Sequence, residues 1–143
     1  MLFIKAKSIE EAKFECAQKA VLLVNGRRAV FAYVSPGRIL TSNKKGLRFL
    51  VRLCNEREVL SDGTVACKTA GKAEALLFVL LRVKSVFAET ISENAAEVLE
   101  KHHIHYEFAR MTPTSPCNYE TESVVKRIDD PAEALKAINQ ALE

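Results

Sequence analysis

The sequence has no CxxC pair, no long apolar run and no low-complexity tract. Each absence excludes a class. Four cysteines, at positions 16, 54, 67 and 117, are too scattered for a disulfide scaffold and read as free thiols of a reducing compartment. The most apolar stretch, Ala73 to Leu81, contains Glu74 and falls far short of the ~20 residues that a membrane-spanning helix needs. Met1-Leu2-Phe3-Ile4-Lys5 runs at once into charged residues, so no signal peptide is read and a cytoplasmic, membrane-free protein is expected. Net charge is small, +3 from 21 basic and 18 acidic residues, which does not argue for nucleic acid. Arg27, Arg28, Arg38, Lys44, Lys45 and Arg48 cluster in the first third, but aromatics are only 7% of the chain and form no platform for stacking RNA bases. The basic cluster therefore reads as solvated surface.

The 143 residues, 48% apolar and 27% charged, have the makeup of a globular protein. With no repeat and no linker, residues 1–143 are expected to form a single domain. Ser8 and Glu11 form a capping-box pattern that opens a helix expected to reach about Lys19. Val21-Leu22-Leu23-Val24 and Ala29 to Val34, joined across Asn25-Gly26, read as a β-hairpin. Arg38 to Lys45 reads as a polar, basic loop. Leu47, Leu50, Val51 and Leu53 then fall on one helical stripe. Beyond it the pattern gives a strand over Thr64–Thr69, a helix from Ala73 to about Val83 and a strand over Ser85–Thr90. A helix capped by Ser92 runs to about His103, and Ile104 to Phe108 alternates as a half-exposed strand. Met111 to Asn118 reads as a loop. Two short helices follow, near Tyr119–Ile128 and Pro131–Leu142, the last capped by Asp129 or Asp130 with Pro131 in its first turn. Strands alternating with helices imply a largely parallel sheet. The expected class is α/β, a three-layer α/β/α sandwich around a mixed five-stranded sheet.

A hairpin followed by helix–strand units is the layout of the cytidine deaminase-like fold. The run Val65-Ala66-Cys67-Lys68-Thr69-Ala70-Gly71-Lys72-Ala73-Glu74-Ala75-Leu76-Leu77 resembles the signature of an uncharacterised family of small prokaryotic proteins with that fold. So do Val83 to Ser92 and Ala96 to His102. The resemblance covers about residues 8 to 142 and implies a domain with no assigned activity. The chain departs from the family at Cys67, where an acidic residue is usual. The family's Cys-Pro-x-Glu stretch appears as Cys117-Asn118-Tyr119-Glu120.

A zinc deaminase presents H/C-x-E at one helix start and P-C-x-x-C at the next, with the Glu shuttling protons for a metal-bound water. His105-Tyr106-Glu107 and Pro116-Cys117 mimic these, but Glu120 stands where the second Cys belongs. The H-x-E also lies in an alternating strand, with only eight residues between Glu107 and Pro116. The helix starts near Gly46-Leu47 and Gly71-Lys72 carry no Cys, His or H-x-E. Zinc deamination is not expected, and no metal or cofactor is implied. His102 and His103 fit a helix's last turn, where cations suit the dipole, and His105 is an outward strand residue.

Three places remain. Gly71-Lys72 opens a helix after a strand, with Lys68 on that strand's end, and suits a phosphate or carboxylate. Ser42 and Lys45, in Ser42-Asn43-Lys44-Lys45-Gly46, form a second polar approach to a helix start. Cys117 at a helix start would favour the thiolate, with Glu120 one turn on to orient it or accept a proton. The leading expectation is a domain binding an anionic small molecule, a nucleotide or another charged metabolite. The alternative is an enzyme using Cys117 as nucleophile without zinc; the sequence leaves open whether any reaction is catalysed. A homodimer is an analogy with similar folds.

Overall fold

The computed structural model describes residues 9–25, 29–43, 47–114 and 119–142, and side chains from residue 15 onward within those segments except at 119 and 120. Helix α1 spans Ile9–Asn25. Strands β1 (Phe31–Ser35) and β2 (Arg38–Ser42) follow, then α2 (Arg48–Asn55), β3 (Thr64–Ala70), α3 (Lys72–Leu80), β4 (Ser85–Ser92), α4 (Glu93–Lys101), β5 (His105–Thr112), α5 (Tyr119–Val125) and α6 (Pro131–Leu142). The sheet is mixed, in the order β2-β1-β3-β4-β5. β1 runs antiparallel to both β2 and β3, whereas β3, β4 and β5 are parallel.

The expected hairpin is displaced. Val21 to Val24 continue α1 instead of forming a strand, and the hairpin turns at Pro36-Gly37 between β1 and β2. The supposed loop from Arg38 is β2. The reason lies in spacing: Cys16, Ala20 and Val24 recur every four residues and are all buried against Ala32, Val34 and Ala66. A strand would have turned alternate apolar residues to each face; in the helix, of Val21 to Val24 only Leu22 is strongly exposed. Asn25 ends the helix, a role an Asn-Gly pair serves as readily as a tight turn. The expected Ser8 cap lies outside the described residues.

The opposite sheet face carries the larger core. Tyr33, Val65, Cys67, Val86 and Ala88 meet Leu50, Leu53, Phe78, Leu99 and Ile138 there. Two expected caps are present: Ser92 Oγ accepts from the Ala95 amide at 3.2 Å, and Asp130 Oδ2 accepts from the Glu133 amide at 2.9 Å. α2, α3 and α4 each end the same way. The amide two residues past the cap donates back into the last turn, as in Glu58 to Leu53, Val83 to Phe78 and Ile104 to Leu99. That closure forces Arg57, Arg82 and His103 into the left-handed region, at φ 58°, 60° and 58°. His103 is thus beyond its helix and not in the last turn. β5 extends through Met111 and Thr112, residues expected in a loop.

Candidate functional site

β3 and β4 lie side by side and parallel, so the chain leaving β3 delivers the start of α3 to the carboxyl end of the sheet. Gly71 is the N-cap, in ordinary extended backbone. It has no side chain to cap with, and the Glu74 carboxylate reaches back instead, accepting the Gly71 amide at 2.5 Å. The next two amides are aimed at a carboxylate from α5. Lys72 N–H donates to Glu122 Oε2 at 3.3 Å, and Ala73 N–H donates to Glu122 Oε1 at 3.0 Å. Both Glu122 oxygens are therefore held at the positive end of the helix.

Lys72 itself is buried. Its Nζ donates to Asp129 Oδ1 at 3.2 Å and to the Lys126 carbonyl at 3.1 Å. The lysine side chain is 9% exposed and its carboxylate partner 76%, so Asp129 closes the ammonium from the solvent side. Removal from water pushes the Glu122 carboxyl above its ordinary range, against the opposing pull of the two amides and the Lys72 ammonium. The net direction shows that desolvation outweighs the favourable contacts. Chemically, the corner is a carboxylate receptor already holding a carboxylate of its own chain.

The other expected residues fall differently. Lys68 is exposed on β3, and strand alternation turns it away from the Cys67 face on which α3 packs. Ser42 ends β2 and is half-buried; the register Ser42, Phe31, Cys67 places it two strands across from β3, about 10 Å by ordinary strand spacing. Lys45 and Cys117 lie outside the described residues, as does the side chain of Glu120. His105 and Glu107 stand on exposed β5, with Nε2 and Oε2 3.9 Å apart. Two surface clefts lie elsewhere. One, of about 480 Å³, is bounded by Glu15, Lys19, Ser35 and Arg38; the other, of about 370 Å³, is bounded by Arg48, Arg52, Asn55 and Asn139.

The residues that sequence reasoning missed are Glu122, Asp129 as a partner of Lys72, and Glu74. Glu74 had a local signal, a carboxylate three residues after an N-cap. Glu122 and Asp129 had none, since they lie 50 and 57 residues from Lys72. Cys67 is buried beside Glu74; burial first, and the carboxylate second, push its thiol up. Burial pushes the Cys54 thiol up to about 12, and its Sγ–H donates to the Leu77 carbonyl at 3.7 Å.

Set beside known proteins, residues 18–142 match the model of the TM1506 family, a domain of unknown function designated DUF1893. The chain belongs to the DUF1893 family. Its fold is similar to the crystal structure of a DUF1893 family protein, TM1506 from Thermotoga maritima, with a TM-score of 0.76 at 20% identity over 98% of this chain and 97% of that one. At that identity the likeness establishes the DUF1893 fold alone. No protein of curated function matches the chain. Among the described residues of this DUF1893 member, no helix is long and apolar enough to cross a membrane.

Proposed function

We propose that this DUF1893 domain binds a small anionic molecule, carrying a phosphate or carboxylate, at the N-terminus of α3. The supporting observation is the bidentate grip of the Lys72 and Ala73 amides on Glu122. In this reading Glu122 holds the place of the ligand's anionic group, and α5 yields when the ligand arrives. Because burial disfavours the Glu122 carboxylate, a ligand anion that keeps some of its solvent contact competes against a weakened occupant. The scaffold reading drawn from the sequence, a deaminase-like fold without a zinc motif, is supported by the hairpin followed by two parallel helix–strand units.

A second reading is favoured by the two partners of the Lys72 ammonium. There the cluster is a latch that fastens α5 and the approach to α6 onto α3, and no ligand enters. The test is thermal denaturation of the wild type and Glu122→Ala in inorganic phosphate, nucleotides and small carboxylates. A ligand at a hundred times its Kd adds about 2.7 kcal/mol, enough to move the melting temperature by several degrees. On the binding reading at least one anion stabilises the wild type, and stabilises Glu122→Ala more, because the competing carboxylate is gone. If no anion moves either protein, the latch stands and binding at this corner is ruled out.

A further inference from the structure

We propose that the domain self-associates through β5, a second copy adding antiparallel to the free edge so that the two sheets run on as one. β5 is the last strand of the sheet, and among the described residues β4 is the only strand it pairs with. Native sheets blunt such edges with prolines, lysines, bulges or short strands. This edge is blunted little: His105 to Thr112 is eight residues long without proline or lysine, its full charges are one of each sign, Glu107 and Arg110, and six of the eight residues are exposed. The other edge is blunted. β2 is only five residues long and starts at Arg38, which pairs with Glu58 at 2.7 Å.

The backbone dictates the register. The His105 amide donates to Lys84, on the side of β4. By strand alternation the amides and carbonyls of Tyr106, Phe108, Arg110 and Thr112 point away from β4 to the open edge. A two-fold axis perpendicular to the sheet requires some residue to stand opposite itself. Centring on Glu107 or Arg110 sets like charges face to face. Centring on Ala109 sets Glu107 against Met111. Centring on Phe108 sets Phe108 against its copy, Tyr106 against the copy's Arg110, and His105 against the copy's Met111. That register has no like-charged pair. It places a guanidinium opposite an aromatic ring on both sides of the axis, a favourable cross-strand pair in each case. It also exchanges backbone hydrogen bonds at three of the four outward-pointing residues, Tyr106, Phe108 and Arg110.

The side chains suit that partner. Phe108 is 42% exposed and Met111 40% exposed. Phe108 is stacked on Tyr106 with centroids 6.2 Å apart and planes 19° from parallel. Tyr106 is in turn held by its hydroxyl to Glu100 of α4. The aromatic pair is thus fixed in position before any partner arrives, which lowers the ordering cost of association.

Two measurements test this. Sedimentation at rising protein concentration gives a dimer for the wild type, and Phe108→Lys, which sets two ammonium groups opposite each other at the axis, weakens association by about tenfold or more. Hydrogen exchange on the wild type needs no variant: the Tyr106, Phe108 and Arg110 amides gain protection as concentration rises, while His105, bonded within the chain, does not change. A wild type that stays monomeric, a folded Phe108→Lys that still dimerises, or edge amides whose exchange ignores concentration overturns the proposal.

Discussion

The ammonium of Lys72 lies 3.2 Å from the carboxylate of Asp129, across 57 residues of sequence. The two partners are unequal, one almost wholly buried and the other largely exposed. That inequality fixes what each contributes.

Replacing the buried partner is the costly change. Lys72→Met leaves the Lys126 carbonyl without its donor and takes a cation from beside Glu122, and is expected to cost about 1–3 kcal/mol. Asp129→Asn removes an exposed partner and is expected to cost under about 1 kcal/mol. Urea denaturation of both variants checks the ranking; equal losses would show that the pair is not anchored by burial.

Glu122 gives the stability a pH dependence of definite sign. Its folded pKa is raised above the ordinary 4.5, chiefly by desolvation. The group's contribution is therefore full below that ordinary value and is lost as pH rises through the folded one. Glu122→Gln cannot ionise. The stability of wild type relative to Glu122→Gln is expected to fall as pH is raised from 4.5 and then level off. A difference that grows with pH would mean that the amides and Lys72 outweigh burial.

Three helices end on a residue other than glycine in the left-handed region, at Arg57, Arg82 and His103. For a side-chain-bearing residue this conformation costs roughly 1–2 kcal/mol, partly offset in a glycine variant by greater freedom of the unfolded chain. Arg82→Gly and His103→Gly are each expected to raise stability by about 0.5–1 kcal/mol, while the matching alanine variants give no such gain. Thermal or urea unfolding decides it.

Gly63 permits a close approach before β3. A Cβ there would come within 2.0 Å of the Val34 carbonyl oxygen and 2.8 Å of Ser35 Cα, and neither backbone atom can move aside cheaply. Gly63→Ala is expected to destabilise by about 1–3 kcal/mol, as overpacking does. At Gly37 nothing lies within 4 Å, and Gly37→Ala is the control for alanine in open space.

Cys54 and Cys67 are both buried with thiol pKa values pushed up, Cys54 to about 12. The thiolate is the reactive form. Neither is expected to react with Ellman's reagent in the native protein at pH 8, and both react once urea unfolds it. Rapid native labelling at either, located by mass spectrometry, would contradict the packing.

Local patterns in the sequence were enough for most elements. Leu50, Val51 and Leu53 announce α2 because a helix must gather its apolar residues on one side. Ser92 and Asp130 announce helix starts because their side chains satisfy amides three residues on. Val21 to Val24 misled because a short apolar run suits either period, and only Ala32, Val34 and Ala66 waiting beneath Cys16, Ala20 and Val24 made it helical. The edge position of β5 was equally hidden, since strand order is a property of the assembled sheet.

The candidate corner divides in the same way. Gly71-Lys72 could be seen as a helix start receptive to an anion, because the free amides and the positive helix end follow from local geometry. Which anion meets those amides is a question of distant chain segments. Folding brought Glu122 to the Lys72 and Ala73 amides and Asp129 to the Lys72 ammonium, because α5 and α6 bury Val125, Ala134 and Ile138 in the core that α3 shares. Apolar burial sets where those helices lie, and the charges they carry are paired as a consequence; no spacing along the sequence encodes that.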